Sequence, residues 1–215
     1  MKNCCIIIFL LAFTTYQETY NLVKLTDHQA LCLDGSPGAY YLSKGDPSKV
    51  ILYFEGGGWC GGKDQASTIE NCYLRSKSPL GSSSSYAPTM MQTSGLLSDQ
   101  DENYFKNWTK AYLKYCDGTG HQGSRSNPLS YKGASIYFRG QNVTKSQLDS
   151  LESQINLFSK VEKILVSGGS AGGLATFTWT NYIKGKATGK VWSAPDSGIF
   201  LDEKNVVIND NLYRI

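Results

Sequence analysis

Val166-Ser167-Gly168-Gly169-Ser170-Ala171-Gly172-Gly173-Leu174 decides how this chain is read: an apolar strand runs into Gly-x-Ser-x-Gly and then into a helix-forming segment. A serine on so sharp a strand-to-helix turn lifts its hydroxyl clear of the sheet edge, and small neighbours let strand and helix pack closely. This is the setting of a nucleophile elbow, with Ser170 as candidate nucleophile. A merely structural Gly-Ser turn is the plainer alternative, and the flanking strand and helix argue against it.

Working outward, Lys49 to Glu55 is a β-branched and aromatic run ending in Gly56-Gly57-Gly58, as a buried strand entering a tight loop should be. Further strands are predicted at Lys110–Tyr115, Ala134–Arg139, Lys163–Ser167 and Lys190–Ala194. A helical period runs from Lys145 to Phe158 on Leu148, Leu151, Ile155 and Phe158, with Asn142 or Thr144 as its cap. A second helix is predicted over Ala171–Lys184, stopping near Gly185. Strands alternating with helices predict an α/β fold with a mostly parallel sheet and helices on both faces, ligands sitting at the carboxyl ends of the strands. Gly56–Trp59 and Gly168–Gly172 both lie at such ends. Ser76–Ser98, rich in Ser, Gly and Pro, reads as a surface excursion, either a rim or lid or a plain connection.

At 215 residues with 40% hydrophobic content the chain suits one domain. A net charge of +3 without a Lys/Arg run, and cysteines without zinc-like spacing, offer nothing for nucleic acid and fit a neutral or weakly charged partner. Residues 1–18 read approximately as a signal peptide: a basic start, then a Cys4–Phe13 apolar run too short to span a bilayer, with cleavage placed between Thr14 and Thr19. Secretion is therefore expected, with no stable membrane span. Cys32, Cys60, Cys72 and Cys116 then remain for two disulfides. All three pairings stay open, Cys60–Cys72 being the cheapest short closure. Asn107-Trp108-Thr109 and Asn142-Val143-Thr144 are glycosylation sequons.

A serine hydroxyl attacks only when a base takes its proton, and the resulting oxyanion needs backbone N–H donors fixed in advance. Ala171 N–H, following the nucleophile, is one candidate donor; Gly57 or Gly58 in the upstream loop is the other. A phosphate loop at Gly56–Gly58 is disfavoured, since Trp59-Cys60 follows it instead of Gly-Lys-Ser/Thr. The base is not evident. The two histidines, His28 and His121, both precede Ser170. His121, in a loop after the Lys110–Tyr115 strand, reads first as a solvent-exposed histidine, second as a substrate contact in the pocket and last as the base. Asp196 and Asp202 follow the serine, although Asp196-Ser197-Gly198 also reads as a turn.

Taken together, several blocks make the sequence resemble the pectin acetylesterase/Notum family of secreted carboxylesterases. They are Cys32-Leu33-Asp34-Gly35-Ser36-Pro37, Phe54-Glu55-Gly56-Gly57-Gly58-Trp59-Cys60, Tyr115-Cys116-Asp117-Gly118, Ile136-Tyr137-Phe138-Arg139-Gly140, Ser167 to Gly173, and Asp196 to Asp202. The resemblance implies an α/β-hydrolase fold, no metal or other cofactor, and removal of acyl groups from an acylated polysaccharide or another ester. It implies Ser170 as nucleophile, Gly57, Gly58 and Ala171 as oxyanion donors, and Trp59 at the pocket rim. It also implies the pairings Cys32–Cys116 and Cys60–Cys72. The family's triad aspartate and histidine lie downstream of the serine; Asp196 matches a position near the site, not the triad acid. Residues 19–215 are accordingly expected to be the N-terminal part of such a domain, with its C-terminal part missing and little activity of its own. The competing expectation is a non-catalytic secreted ester- or glycan-binding remnant; oligomeric state is left open.

Overall fold

The computed structural model describes residues 19–92 and 95–200. The expected leader, residues 1–18, and Asp202 lie outside them. In chain order the elements are β1 (Tyr20–Lys24), β2 (Ala39–Ser43), β3 (Asp46–Phe54), α1 (Gln65–Arg75), β4 (Thr89–Met90), a 3-10 turn (Gly95–Leu97), β5 (Trp108–Leu113), β6 (Leu129–Tyr131), β7 (Ala134–Ile136), α2 (Gly140–Ile155), β8 (Lys163–Gly169), α3 (Ala171–Lys186) and β9 (Lys190–Asp196).

Seven strands form one sheet in the order β4-β1-β2-β5-β3-β8-β9. β5, β3, β8 and β9 run parallel, while β2, β1 and β4 extend the sheet by antiparallel pairing. The parallel half is where the apolar runs lie, because strands covered on both faces need continuous hydrophobic sequence. On β3, Val50, Leu52 and Phe54 point to one face and Ile51 to the other, and all four are fully buried. The first face packs against Val143, Leu148 and Leu151 of α2 and Ala175, Trp179 and Ile183 of α3.

The second face differs from expectation. Among the described residues no α-helix covers it; Tyr41, Ile51 and Leu165 pack instead with Leu96, Leu97, Phe105 and Trp108. The described part of the Ser76–Ser98 excursion, with residues 99–107 after it, therefore contributes sheet cover and is more than a plain connection, and it also carries β4 to the sheet edge beside β1. It lacks helical periodicity, yet its few large apolar residues suffice to bury this face.

The predicted Ala134–Arg139 strand is shorter and lies elsewhere. Only Ala134–Ile136 is extended, in a two-stranded hairpin with β6 outside the main sheet. Beyond it the backbone is spent on other partners, Tyr137 N–H on the Leu33 carbonyl and Arg125 N–H on that of Phe138. The crossover through α2 thus joins β5 to β8, passing over β3, and β8-α3-β9 is the adjacent β-α-β unit. α2 begins at Gly140, five residues earlier than predicted, and neither Asn142 nor Thr144 caps it. The buried Asp117 carboxylate sits against Gly140 at that end, where the helix dipole favours negative charge. Asn156 ends α2 in the left-handed conformation that asparagine tolerates.

Both disulfides implied by the resemblance are formed, Cys32–Cys116 and Cys60–Cys72. The first closes a separation of 84 residues and the second one of 12. The long bridge fixes the 31–37 segment to the end of β5; the short one fixes the glycine loop to α1.

Candidate active site

The carboxyl edge of the parallel strands brings the two sequence motifs into contact. Ser170 is exposed and adopts φ 54°, ψ −118°, between the end of β8 and the first residue of α3. Such a conformation is costly for a residue with a Cβ and persists only where its surroundings over-determine it. Here small residues do so: a side chain at Gly168 or Gly172 would collide with neighbouring backbone, including the Phe54 carbonyl at the end of β3. Ser170 N–H donates to the Asp196 carbonyl at 2.9 Å, which locks the elbow to the end of β9.

Gly56-Gly57-Gly58 lies directly across from the elbow. A Cβ on Gly56 would stand 3.4 Å from Ser170 Cβ and would overlap the Gly169 carbonyl. Gly57 and Gly58 are exposed, with φ of 137° and 64°, values that non-glycine residues rarely adopt. Ala171 is buried at the start of α3. Ser170, Ala171, Gly57 and Gly58 therefore share one edge, as the sequence reading expected of them.

Trp59 is half-buried and meets Phe200 edge-on at 4.9 Å between ring centres. It lines a cavity of about 480 Å³ together with Ile69, Phe138, Leu174 and the Cys60–Cys72 bridge. Ile69, Phe138 and Leu174 were not legible as site residues. They come from α1, the loop before α2 and the first turn of α3, and only Leu174, one helical turn after Ser170, carried a positional signal. α1 itself was unanticipated, although Asp64 and Ser67 form a reciprocal capping box at its start.

His121 is not the exposed residue expected of a loop histidine. It is 1% exposed, stacks on Tyr115, meets Phe54 edge-on, and its carbonyl accepts from Trp179 Nε1 at 3.1 Å. Its Nε2 donates to the Glu55 carbonyl at 2.9 Å. Burial lowers its pKa, with Asp117 partly opposing, so the ring is neutral at physiological pH. The ring props the end of β3 from behind, and it contributes nothing to the cavity lining. His28 is exposed, in the turn after β1. Asp196 lies at the end of β9, opposite Gly169 in register, where its carboxylate accepts from the Ser197 hydroxyl at 2.9 Å. It is brought to the elbow, with its backbone carbonyl as the connecting group.

Glu55, at the junction of β3 and the glycine loop, ties the loop down. Its carboxylate pairs with Lys114 and accepts from Tyr115 N–H at 2.8 Å, both charged side chains being nearly buried. Asn107 is exposed before β5, whereas Asn142 is half-buried in the first turn of α2. Among the described residues no His, Cys, Asp and Glu group could hold a metal ion, and no helix is long and apolar enough to cross a membrane.

A strand, elbow and helix beside a glycine loop at the carboxyl edge of a parallel sheet define an α/β-hydrolase fold. The structure of the Wnt deacylase Notum from Drosophila shares it, with a TM-score of 0.74 at 24% identity, over 86% of this chain and 55% of that one. The chain belongs to the pectinacetylesterase family, whose model matches residues 13–215. It is 32% identical to pectin acetylesterase 5 of Arabidopsis thaliana over 89% of its own length and 46% of that protein's. Against palmitoleoyl-protein carboxylesterase notum2 of Xenopus laevis it is 26% identical, over 91% of its own length and 40% of the relative's. The chain thus spans less than half the length of these curated relatives.

Proposed function

We propose that this chain carries the nucleophile and oxyanion hole of a secreted serine carboxylesterase that deacetylates a polysaccharide. Ser170 attacks the acyl carbonyl, the N–H groups of Gly57, Gly58 and Ala171 hold the oxyanion, and water releases the acid from the acyl-enzyme. The observation that supports this most is the contact between motifs: an exposed Ser170 at positive φ, packed against a glycine loop that opens to solvent. The family relationship supports the ester substrate. Two disulfides support an oxidising compartment, and glycosylation at exposed Asn107 accords with it better than at helical Asn142.

Turnover also needs a general base. His121 is committed to the Glu55 carbonyl, and His28 lies in the exposed turn after β1. The base and its partnering acid are therefore proposed to lie outside these 215 residues. On its own the chain is expected to keep at most the small residual rate that an oxyanion hole gives without its base. The same observation favours a second reading, a non-catalytic ester- or glycan-binding protein that retains the pocket. Acetate release from an acetylated polysaccharide by the full-length protein, compared with its Ser170→Ala variant, separates the two: loss of release in the variant supports the esterase, and binding without release supports the binder.

A further inference from the structure

Gly57 and Gly58 lack side chains, lie at the surface and hold positive φ, so nothing intrinsic fixes the direction of their peptide groups. A swung peptide would point a carbonyl where the oxyanion needs a donor. The structure pins both peptide planes flanking Gly58. The Gly57 carbonyl accepts from Arg75 Nη2 at 2.8 Å, and the Gly58 carbonyl from the Tyr115 hydroxyl at 2.7 Å. A trans peptide is planar with its C=O and N–H pointing in opposite directions. Holding the Gly57 carbonyl toward Arg75 thus turns the Gly58 N–H to the opposite side, and a Cβ on Gly58 would meet nothing within 4 Å.

The two holding groups are themselves fixed. Arg75 Nε donates to the Leu80 carbonyl at 3.2 Å, and its guanidinium lies over the Tyr115 ring, 4.9 Å from the centre. Tyr115 is fully buried; its N–H is bound by the Glu55 carboxylate and its hydroxyl oxygen accepts from Gly120 N–H at 2.9 Å. Burial also raises the Tyr115 pKa far above neutrality, so the phenol stays a donor across the working range. Leu80 packs against Gly57 beside the Arg75 guanidinium, leaving no room for a side chain there.

We infer that Arg75 and Tyr115 are positioning residues: Arg75 aims the Gly58 N–H at the acyl oxygen above Ser170, and Tyr115, by holding the following Gly58–Trp59 peptide, keeps Gly58 from rotating out of that setting. The inference rests on the serine-esterase reading. Neither residue touches substrate; each acts through a carbonyl of the glycine loop, converting a mobile tripeptide into a preorganised donor. Preorganisation of this kind raises the rate of the chemical step without tightening ground-state binding.

The test compares Arg75→Gln, Arg75→Lys, Tyr115→Phe and Ser170→Ala in the full-length protein, with p-nitrophenyl acetate hydrolysis and inhibition by phenylboronic acid as readouts. The boronate adds to the serine and becomes a tetrahedral anion, so its affinity reports the hole directly. Expected for Arg75→Gln and Tyr115→Phe is a fall in kcat of roughly 10- to 100-fold, a part of what deleting an oxyanion donor costs. KM stays within about twofold, the boronate weakens in step with kcat, and Arg75→Lys recovers most of the rate. The inference is overturned if both variants keep kcat within about twofold, or lose activity with boronate affinity unchanged. Should Arg75→Gln not fold, Tyr115→Phe, which removes a single oxygen, decides alone. Hydrolysis surviving in Ser170→Ala would instead overturn the parent reading.

Discussion

The backbone N–H of Ser170 donates to the carbonyl of Asp196 at 2.9 Å, so the elbow is fastened to the end of a neighbouring strand, not only to its own strand and helix. Gly173 and Gly198 make that fastening possible, because their backbones meet with no room for a side chain. Gly173→Val is expected to lower stability by about 1–3 kcal/mol through overpacking, or a Tm fall of roughly 2–4 °C per kcal/mol for a domain of this size. Differential scanning fluorimetry of the purified variant checks this, and an unchanged Tm would mean that the contact is slack.

The two disulfides should differ in their effect on stability. In the loop-entropy view, removing Cys32–Cys116 costs up to about 4–5 kcal/mol and removing Cys60–Cys72 about 3 kcal/mol. Urea unfolding of the two double Cys→Ala variants gives the order. The short bridge should matter more for activity, since it lies beside the glycine loop and lines the cavity.

Glu55 and Lys114 form an ion pair with side-chain exposures of 13% and 12%. Glu55→Ala strands a nearly buried ammonium and frees Tyr115 N–H, with an expected loss of about 3 kcal/mol. The double variant Glu55→Ala/Lys114→Met should recover part of it. Chemical denaturation of the three proteins tests this; equal loss in the single and the double variant would place the effect elsewhere.

His121 links stability to acid. Its pKa is lowered in the folded state by burial, so the unfolded chain binds a proton more readily. Its contribution is complete above the unfolded value of about 6.5 and is lost as pH falls from there toward the depressed folded value. Tm measured from pH 7.5 to pH 4.5 should therefore drop less steeply in His121→Gln than in the parent. Parallel curves would show that other groups govern the acid limb.

The parallel half of the fold was legible because its signals are local. Val50–Phe54 and Ile164–Val166 are apolar runs, and the small residues from Gly168 to Gly173 announce a strand-to-helix turn without reference to anything distant. What was illegible depended on partners far along the chain. α2 starts at Gly140 beside a carboxylate contributed by Asp117, so no capping residue marks it. His121 is buried because Phe54 of β3, Tyr115 just after β5 and Trp179 of α3 converge on it, a surrounding that its own polar, glycine-rich loop does not suggest. Among the described residues the second face, where helices were expected, is covered by a segment whose Leu96, Leu97 and Phe105 follow no α-helical or strand period. At the candidate site, the shared edge of Ser170, Ala171 and the glycine loop was expected from motif spacing, whereas Phe138 and Ile69 reach the cavity only through tertiary packing.

The central claim is that Ser170 is the nucleophile, and active-site labelling of the full-length protein with a fluorophosphonate tests it most directly. Peptide mass spectrometry after labelling should place the phosphonate on Ser170, and Ser170→Ala should abolish labelling. Absence of modification at Ser170 in a folded, full-length protein, or a label on another serine that survives Ser170→Ala, would contradict the account.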